Sequence, residues 1–301
     1  MTEHTNRCGA IALVGRPNVG KSSLLNRLLG QKLSITSHKA QTTRDAIVGI
    51  KTRDGGQLVF VDTPGIHDRS DHALNRKLNR AARAAITDVD LAVLVVEAVK
   101  FGPEDALALR ALADAHAPVI AVINKIDLLD HKEKLLPFLH GLAERHSFQC
   151  LVPVSARTAD GLDRLEQELL ARLPVGDNWF PEDQLTDCSS RFLAAELIRE
   201  QLVRRYGDEL PYQTTVTIER FQEEPSRYRI NALIWVERDS QKAILIGHRG
   251  EALKATATAA RAAMQRLFDT PVHLELWIKV RKGWTRDETA LRDLTSADAR
   301  L

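Results

Sequence analysis

Cysteine is scarce in this 301-residue chain: there are three, Cys8, Cys150 and Cys188, far apart and odd in number. No CxxC pair or Cys/His spacing accompanies them, which argues against a disulfide framework and a structural metal site and points to a reducing compartment. Long apolar runs are missing too. None approaches the roughly 20 residues that span a bilayer. The opening MTEHTNRCG lacks the apolar segment of a secretory signal, so a cytoplasmic protein is expected, with peripheral membrane contact left open. Excess charge is nearly absent, with 42 Lys and Arg against 40 Asp and Glu. Any surface for nucleic acid must therefore be a local patch.

Hydrophobic residues make up 44% of the chain, enough for two domains with real cores. In the first half, short apolar runs alternate with helical patterns. The runs are AIALV (10–14), QLVFV (57–61), LAVLVV (91–96), PVIAVI (118–123) and CLVPV (150–154). They suit strands buried on both faces, and the rhythm predicts an α/β domain, a mostly parallel sheet with helices on both sides. This domain is expected over residues 1–175. A polar stretch with Pro and Gly, 176–190, reads as a linker. Residues 191–301 then read as a small α+β domain with a C-terminal tail. It opens with an amphipathic helix, SSRFLAAELIREQLVRRYG, capped by Ser and ended at Gly207. TTVTIERF and YRINALIWVE read as strands, and VHLELWIKV closes as another. In that last strand Val272, Leu274, Leu276, Ile278 and Val280 share one face, opposite His273, Glu275, Trp277, Lys279 and Arg281.

GRPNVGKSS, residues 15–23, fits the phosphate-loop pattern G-x-x-x-x-G-K-[ST] with a strand before it and a helix after it. Gly15 and Gly20 let backbone N–H groups approach phosphates, with Arg16, Pro17, Asn18 and Val19 between them. Lys21 is placed to reach the β and γ phosphates and Ser22 to ligate Mg²⁺, with Ser23 following. Asp62, Thr63, Pro64 and Gly65 form DTPG after a strand. There Asp62 is expected to hold the Mg²⁺ shell and the Gly65 N–H to meet the γ phosphate. NKID, made of Asn124, Lys125, Ile126 and Asp127, selects the base. A carboxylate only accepts hydrogen bonds, and guanine offers N1–H and N2–H where adenine leaves Asp127 unpaired. Asn124 would brace the site, the Lys125 stem would lie over the ring, and in the VSA that follows, after Ser155, the Ala156 N–H would meet guanine O6. The polar stretch 31–49 suits a switch loop, in which Thr43, or else Thr42, is the second metal hydroxyl.

Many GTPases orient the attacking water with a Gln after DxxG. Ile66 stands here and cannot. Asn18 is the candidate substitute: its side-chain oxygen would hold a monovalent cation, potassium, beside the β and γ phosphates. The expected catalytic set is therefore Lys21, Asn18, Thr43 and Gly65.

A second glycine loop, GHRG, comprises Gly247, His248, Arg249 and Gly250, between the apolar KAILI and the helix EALKATATAARAA. The order helix, strand, strand, helix, GHRG, helix, strand matches the prokaryotic (type II) KH fold, whose GXXG loop clamps single-stranded nucleic acid. His248, Arg249, Lys254 and Arg261 would line the groove, with Lys279, Arg281 and Lys282 adding cations nearby. Trp284 is either a stacking partner or packed in the tail. From 181 to 301, Lys and Arg equal Asp and Glu at 19 each, so affinity must come from that groove.

Together GRPNVGKSS, QTTR, DTPG, NKID and VSA, followed directly by GHRG, resemble the Era family of bacterial Ras-like GTPases over nearly the whole chain. His248, Arg249 and Ser23 stand where members often have Asn, Lys and Thr. The resemblance implies GTP/GDP and Mg²⁺ binding, slow hydrolysis, and binding near the 3′ end of 16S rRNA in assembly and maturation of the 30S ribosomal subunit. It also implies a monomer with some peripheral association at the inner membrane. A GTP-switched module that recruits a protein or a membrane, without RNA, is the alternative.

Overall fold

The computed structural model describes residues 6–36, 43–66, 73–113, 117–207, 210–285, 287, 289–290 and 294. Two compact units meet in sequence between Asp187 and Cys188. Each has its own sheet and core.

The first unit holds β1 (Arg7–Val14), α1 (Lys21–Leu29), β2 (Ile47–Arg53), β3 (Gly56–Asp62), α2 (Ala73–Thr87, from Lys77 onward), β4 (Leu91–Glu97), α3 (Pro103–Ala113), β5 (Val119–Asn124), α4 (Leu135–Ala143), β6 (Leu151–Pro153) and α5 (Leu162–Leu170). The sheet order is β2-β3-β1-β4-β5-β6. Every pairing is parallel except β2 with β3. β4 and β5 are buried at every position, as their unbroken apolar runs require of strands covered on both sides. Alternation along β1 divides the two layers. Ile11 and Leu13 pack with Leu24 and Leu28 of α1 and Leu165 and Leu169 of α5. Ala12 and Val14 pack with Ala82 of α2, Ala108 and Leu112 of α3 and Leu142 of α4.

β2 is the element the sequence reading missed. It begins inside the stretch assigned to a switch loop, and as an edge strand with half-buried Lys51, Thr52 and Arg53 it carries little apolar signal. The Asp54-Gly55-Gly56 turn into β3 was the available clue. The edge it exposes corrects the linker assignment as well. Leu185 O accepts from Ile50 N at 2.8 Å, and Thr186 Oγ1 donates to Val48 O at 2.6 Å. The buried Gln57 accepts from Trp179 N and Phe180 N, both at 3.0 Å. An unpaired strand edge needs partners, and residues 175–187 supply them rather than hanging free.

The second unit holds α6 (Ser190–Arg205), β7 (Thr215–Glu224), β8 (Arg227–Val236), α7 (Asp239–Ile246), α8 (Glu251–Phe268) and β9 (Val272–Val280). Its sheet order is β7-β8-β9, with an antiparallel β7–β8 hairpin and β9 parallel to β8. Ser189 caps α6 by accepting from Phe192 N at 3.1 Å. The helix ends at Arg205, so Gly207 lies beyond it. It is not amphipathic: every residue from Phe192 to Glu200 is buried, because α6 packs on β7 and on α8 together. Charged positions on it pair along the helix, Arg199 with Glu196 at 2.6 Å and Arg204 with Glu200 at 3.0 Å. In β9 the alternation is as read: Val272, Leu274, Leu276, Ile278 and Val280 join Ala260, Ala263 and Met264 of α8 in the core.

Candidate functional site

β1 delivers the chain into the loop of residues 15–20, and α1 starts at Lys21 without a side-chain cap. Its first N–H groups are thus left for an anion, on the positive end of the helix. Gly20 has φ 100°, and a Cβ there would lie 2.3 Å from Asn124 Nδ2, so only glycine fits. Arg16 and Pro17 are half-buried, Val19 is in the core, and Asn18 and Ser23 are exposed. Asn18 adopts the left-handed region at φ 66°. Lys21 is only 6% exposed. Its Nζ donates to Gly15 O at 2.8 Å and to Arg16 O at 3.0 Å, which leaves the third ammonium N–H for a phosphate oxygen. Burial pulls its pKa down to about 8, against the attraction of Asp62.

The three residues assigned to the metal converge. Ser22 Oγ donates to Asp62 Oδ2 at 2.7 Å and lies 2.9 Å from Thr43 Oγ1. Two hydroxyls and a carboxylate are the hard oxygen donors that Mg²⁺ takes alongside phosphate oxygens. Asp62 is fully buried, which raises its pKa, and its Oδ1 has no hydrogen-bond partner among the described residues. A buried carboxylate oxygen left over is what a cation site requires, so these residues fit the metal. Thr42 lies outside the described residues.

Thr63 is buried and donates to Leu13 O at 2.7 Å, and Pro64 is buried beside it. They set Gly65 so close to the phosphate loop that a Cβ would fall 2.8 Å from Pro17 N. Ile66 is buried with Ala12 and Val14, so its side chain faces the core, not a water.

At the base end, Asn124 Nδ2 donates to Val19 O at 2.9 Å, and its Oδ1 accepts from Ala156 N at 3.0 Å. Asn124 therefore ties the phosphate loop to the loop after β6. The Ala156 N–H assigned to guanine O6 is donated to Asn124 instead. Lys125, at φ 66°, points its Nζ to Glu97 Oε2 at 2.8 Å. Ile126 and Asp127 form a short turn after it. Ser155 Oγ donates to Asp127 Oδ1, and Arg157 Nε donates to Oδ2 at 2.7 Å. Burial raises the Asp127 pKa, but these two donors outweigh it and hold the carboxyl below its ordinary value. Each carboxylate oxygen has a second lone pair for a guanine N–H. Arg157, 71% exposed, was missed in the sequence, since nothing in its spacing marks it.

In the second unit GHRG forms one tight turn between α7 and α8. Gly247 has φ 69° with ψ −176°, a region open essentially to glycine alone, while Gly250 at φ 83° and Arg249 at φ 49° are left-handed. A Cβ on Gly247 would strike Ala252 Cβ at 2.6 Å. His248 and Arg249 are exposed at the tip, and Gly250 starts α8 with no side-chain cap. Lys254 and Arg261, seven residues apart, are exposed on one side of α8. Lys279 is not with them. It lies on the opposite face of β9 from the residues that pack on α8, over the Trp235 ring at 5.8 Å and 3.7 Å from Glu219. Strand alternation puts it there. Arg281 and Lys282 follow the end of β9, where Arg281 N donates to Val236 O at 2.9 Å. Trp284 is fully buried, which removes it as a stacking partner, whereas Trp277 is 44% exposed.

A phosphate loop, a metal corner and a base loop on a mostly parallel sheet, followed by a GXXG turn in a three-stranded α+β unit, define a P-loop GTPase joined to a KH domain. The comparisons agree: a family model described as a 50S ribosome-binding GTPase matches residues 10–125, and a KH domain model matches 209–285. The chain is 53% identical over 286 residues to GTPase Era of Xylella fastidiosa, covering 95% of this chain and 96% of the relative. It is 51% identical over 299 residues to GTPase Era of Glaesserella parasuis, covering 99% and 100%. A crystal structure of a variant of Aquifex aeolicus Era bound to GDP and AlF4⁻ superposes with a TM-score of 0.92 at 35% identity, covering 96% of this chain and 98% of that one. A crystal structure of Era with MgGDPNP and nucleotides 1506–1542 of 16S ribosomal RNA gives the same TM-score, identity and coverage. The chain belongs to the GTPase Era family.

Proposed function

We propose that this GTPase is a switch that grips single-stranded RNA, the region near the 3′ end of 16S rRNA, in its KH groove and so assists assembly and maturation of the 30S subunit. The observation that carries the reading is the GHRG turn. Two positive-φ glycines present backbone, two exposed polar side chains and an uncapped helix start, with Lys254 and Arg261 behind them. Those parts suit a sugar–phosphate chain. An Era structure containing the 16S rRNA fragment supports the choice of RNA. A switch further requires RNA affinity to differ between the GTP and GDP states.

In the nucleotide site, Lys21 neutralises phosphate charge, Ser22, Thr43 and Asp62 hold Mg²⁺, and the backbone of residues 15–20 and Gly65 surrounds the phosphates. The ion, when bound, offsets charge on the phosphate oxygens. With Ile66 facing the core, Asn18 takes part in holding potassium. Turnover is then faster in potassium than in sodium, and Asn18→Ala removes the difference; equal rates in both salts exclude the potassium role. The monomeric state and peripheral inner-membrane contact belong to the same proposal. Among the described residues no helix is long and apolar enough to cross a membrane.

The test is binding of a single-stranded oligoribonucleotide carrying the 3′-terminal 16S sequence, across salt, with GTP or GDP present. Arg249→Ala and Lys254→Ala should each weaken binding and reduce the salt slope by about one. Unchanged binding in both variants, or an affinity indifferent to the nucleotide, contradicts the proposal.

A further inference from the structure

Glu97 is the last residue of β4, and three cations reach its carboxylate from different segments. Oε2 accepts from Lys125 Nζ of the base loop at 2.8 Å and lies 3.5 Å from Arg16 Nη2 of the phosphate loop. Oε1 accepts from Lys100 Nζ. The Lys100 side chain is 68% exposed, so that pair contributes little. The other two are half-buried and matter more. Arg16 is fixed on its far side by Nε donating 3.0 Å to Oδ2 of the buried Asp105 in α3. The backbone reinforces the same joint: Glu97 pairs with Asn124 across the ends of β4 and β5, and Ala98 N donates to Asn124 O at 2.9 Å. Asn124 itself holds Val19 O of the phosphate loop.

We propose that Glu97 is a positioning residue for the nucleotide, fixing the Lys125 stem and the Arg16 side chain so that the base loop and the phosphate loop are held in one geometry. The proposal rests on the guanine-site reading of Lys125 and Asp127. Two cations that would otherwise repel are placed on one carboxylate. Loss of the negative charge frees the Lys125 ammonium for solvent, and its stem no longer lies where the purine face would meet it. The expected penalty falls on nucleotide retention. Lys125 and Arg16 are common to every bound state, so GDP and GTP are affected alike.

The experiment is a double-mutant cycle read by the release rate of a fluorescent GDP. Glu97→Gln should speed release about tenfold in the wild-type background and by less than about twofold in a Lys125→Ala background. In steady state the same substitution should raise KM for GTP about tenfold with a much smaller change in kcat, a split that general loosening of the fold does not produce. A thermal melt of each variant controls for stability. An equal Glu97→Gln effect with and without Lys125, or an unaltered release rate, overturns the proposal. An Asp127→Asn variant run alongside separates the two readings. If it still abolishes preference for guanine while Glu97→Gln does nothing, only the role of Glu97 fails. If it leaves base preference intact, the guanine site fails with it.

Discussion

Ser22 Oγ donates a 2.7 Å hydrogen bond to Asp62 Oδ2 across the gap between α1 and the end of β3, with Thr43 Oγ1 2.9 Å from the same hydroxyl. Residues 21 and 40 positions apart in sequence thus meet at one point. Their hydrogen bonds to one another stand in for the oxygen-to-metal contacts that the nucleotide complex would need.

That relationship makes Ser22→Ala informative. It removes one of the oxygen donors and leaves Asp62 buried with less support. Hydrolysis at saturating Mg²⁺ should fall by roughly 10²- to 10³-fold, with the Mg²⁺ concentration for half-maximal rate shifted upward. Steady-state rates titrated with MgCl₂ check this.

Lys21 provides a pH signature. Burial lowers its pKa from 10.5 to about 8. A triphosphate requires the charged amine and raises the pKa again. Nucleotide affinity should therefore be level below pH 8 and decline by up to about tenfold per pH unit above it. The sign for stability is opposite. Between 8 and 10.5 the unfolded chain binds the proton and the folded chain does not, so this group makes the free protein more stable as pH rises through that window. Isothermal titration and thermal melts from pH 7 to 10 measure both.

Gly247→Ala tests the GHRG turn separately from its charges. The added Cβ meets Ala252 Cβ at 2.6 Å at a residue with φ 69°. Strain of about 1–3 kcal/mol follows from that glycine-only backbone conformation alone, before the clash is relieved. The melting temperature should fall and RNA binding should weaken, while GDP affinity measured on the same protein stays level.

Much of this was legible in the sequence, for a definite reason. Phosphate, metal and base recognition depend on short segments held at strand ends, so GRPNVGKSS, DTPG and NKID carry their geometry in local spacing. The alternation that put Val272 and Ile278 inward in β9 is equally local. What escaped depended on the fold. β2 is an edge strand, and its partners at residues 185 and 186 are more than 130 positions away in sequence. Arg157 finds Asp127 through the packing of two loops. Lys279 was grouped with the groove by its charge, though strand alternation had already placed it on the other face. Trp284 carries an indole that suits stacking or burial equally, and only the folded structure decides for burial.

The most direct measurement is competition of GTP, ATP and XTP against fluorescent GDP on the wild-type protein and on Asp127→Asn. The account predicts that GTP competes at least about 10³-fold better than ATP with the wild type. The substitution should cost GTP affinity about 10²-fold and favour XTP, whose base presents a carbonyl in place of the guanine amine. Equal competition by ATP and GTP in the wild type, or a variant that still prefers GTP to XTP, would contradict it.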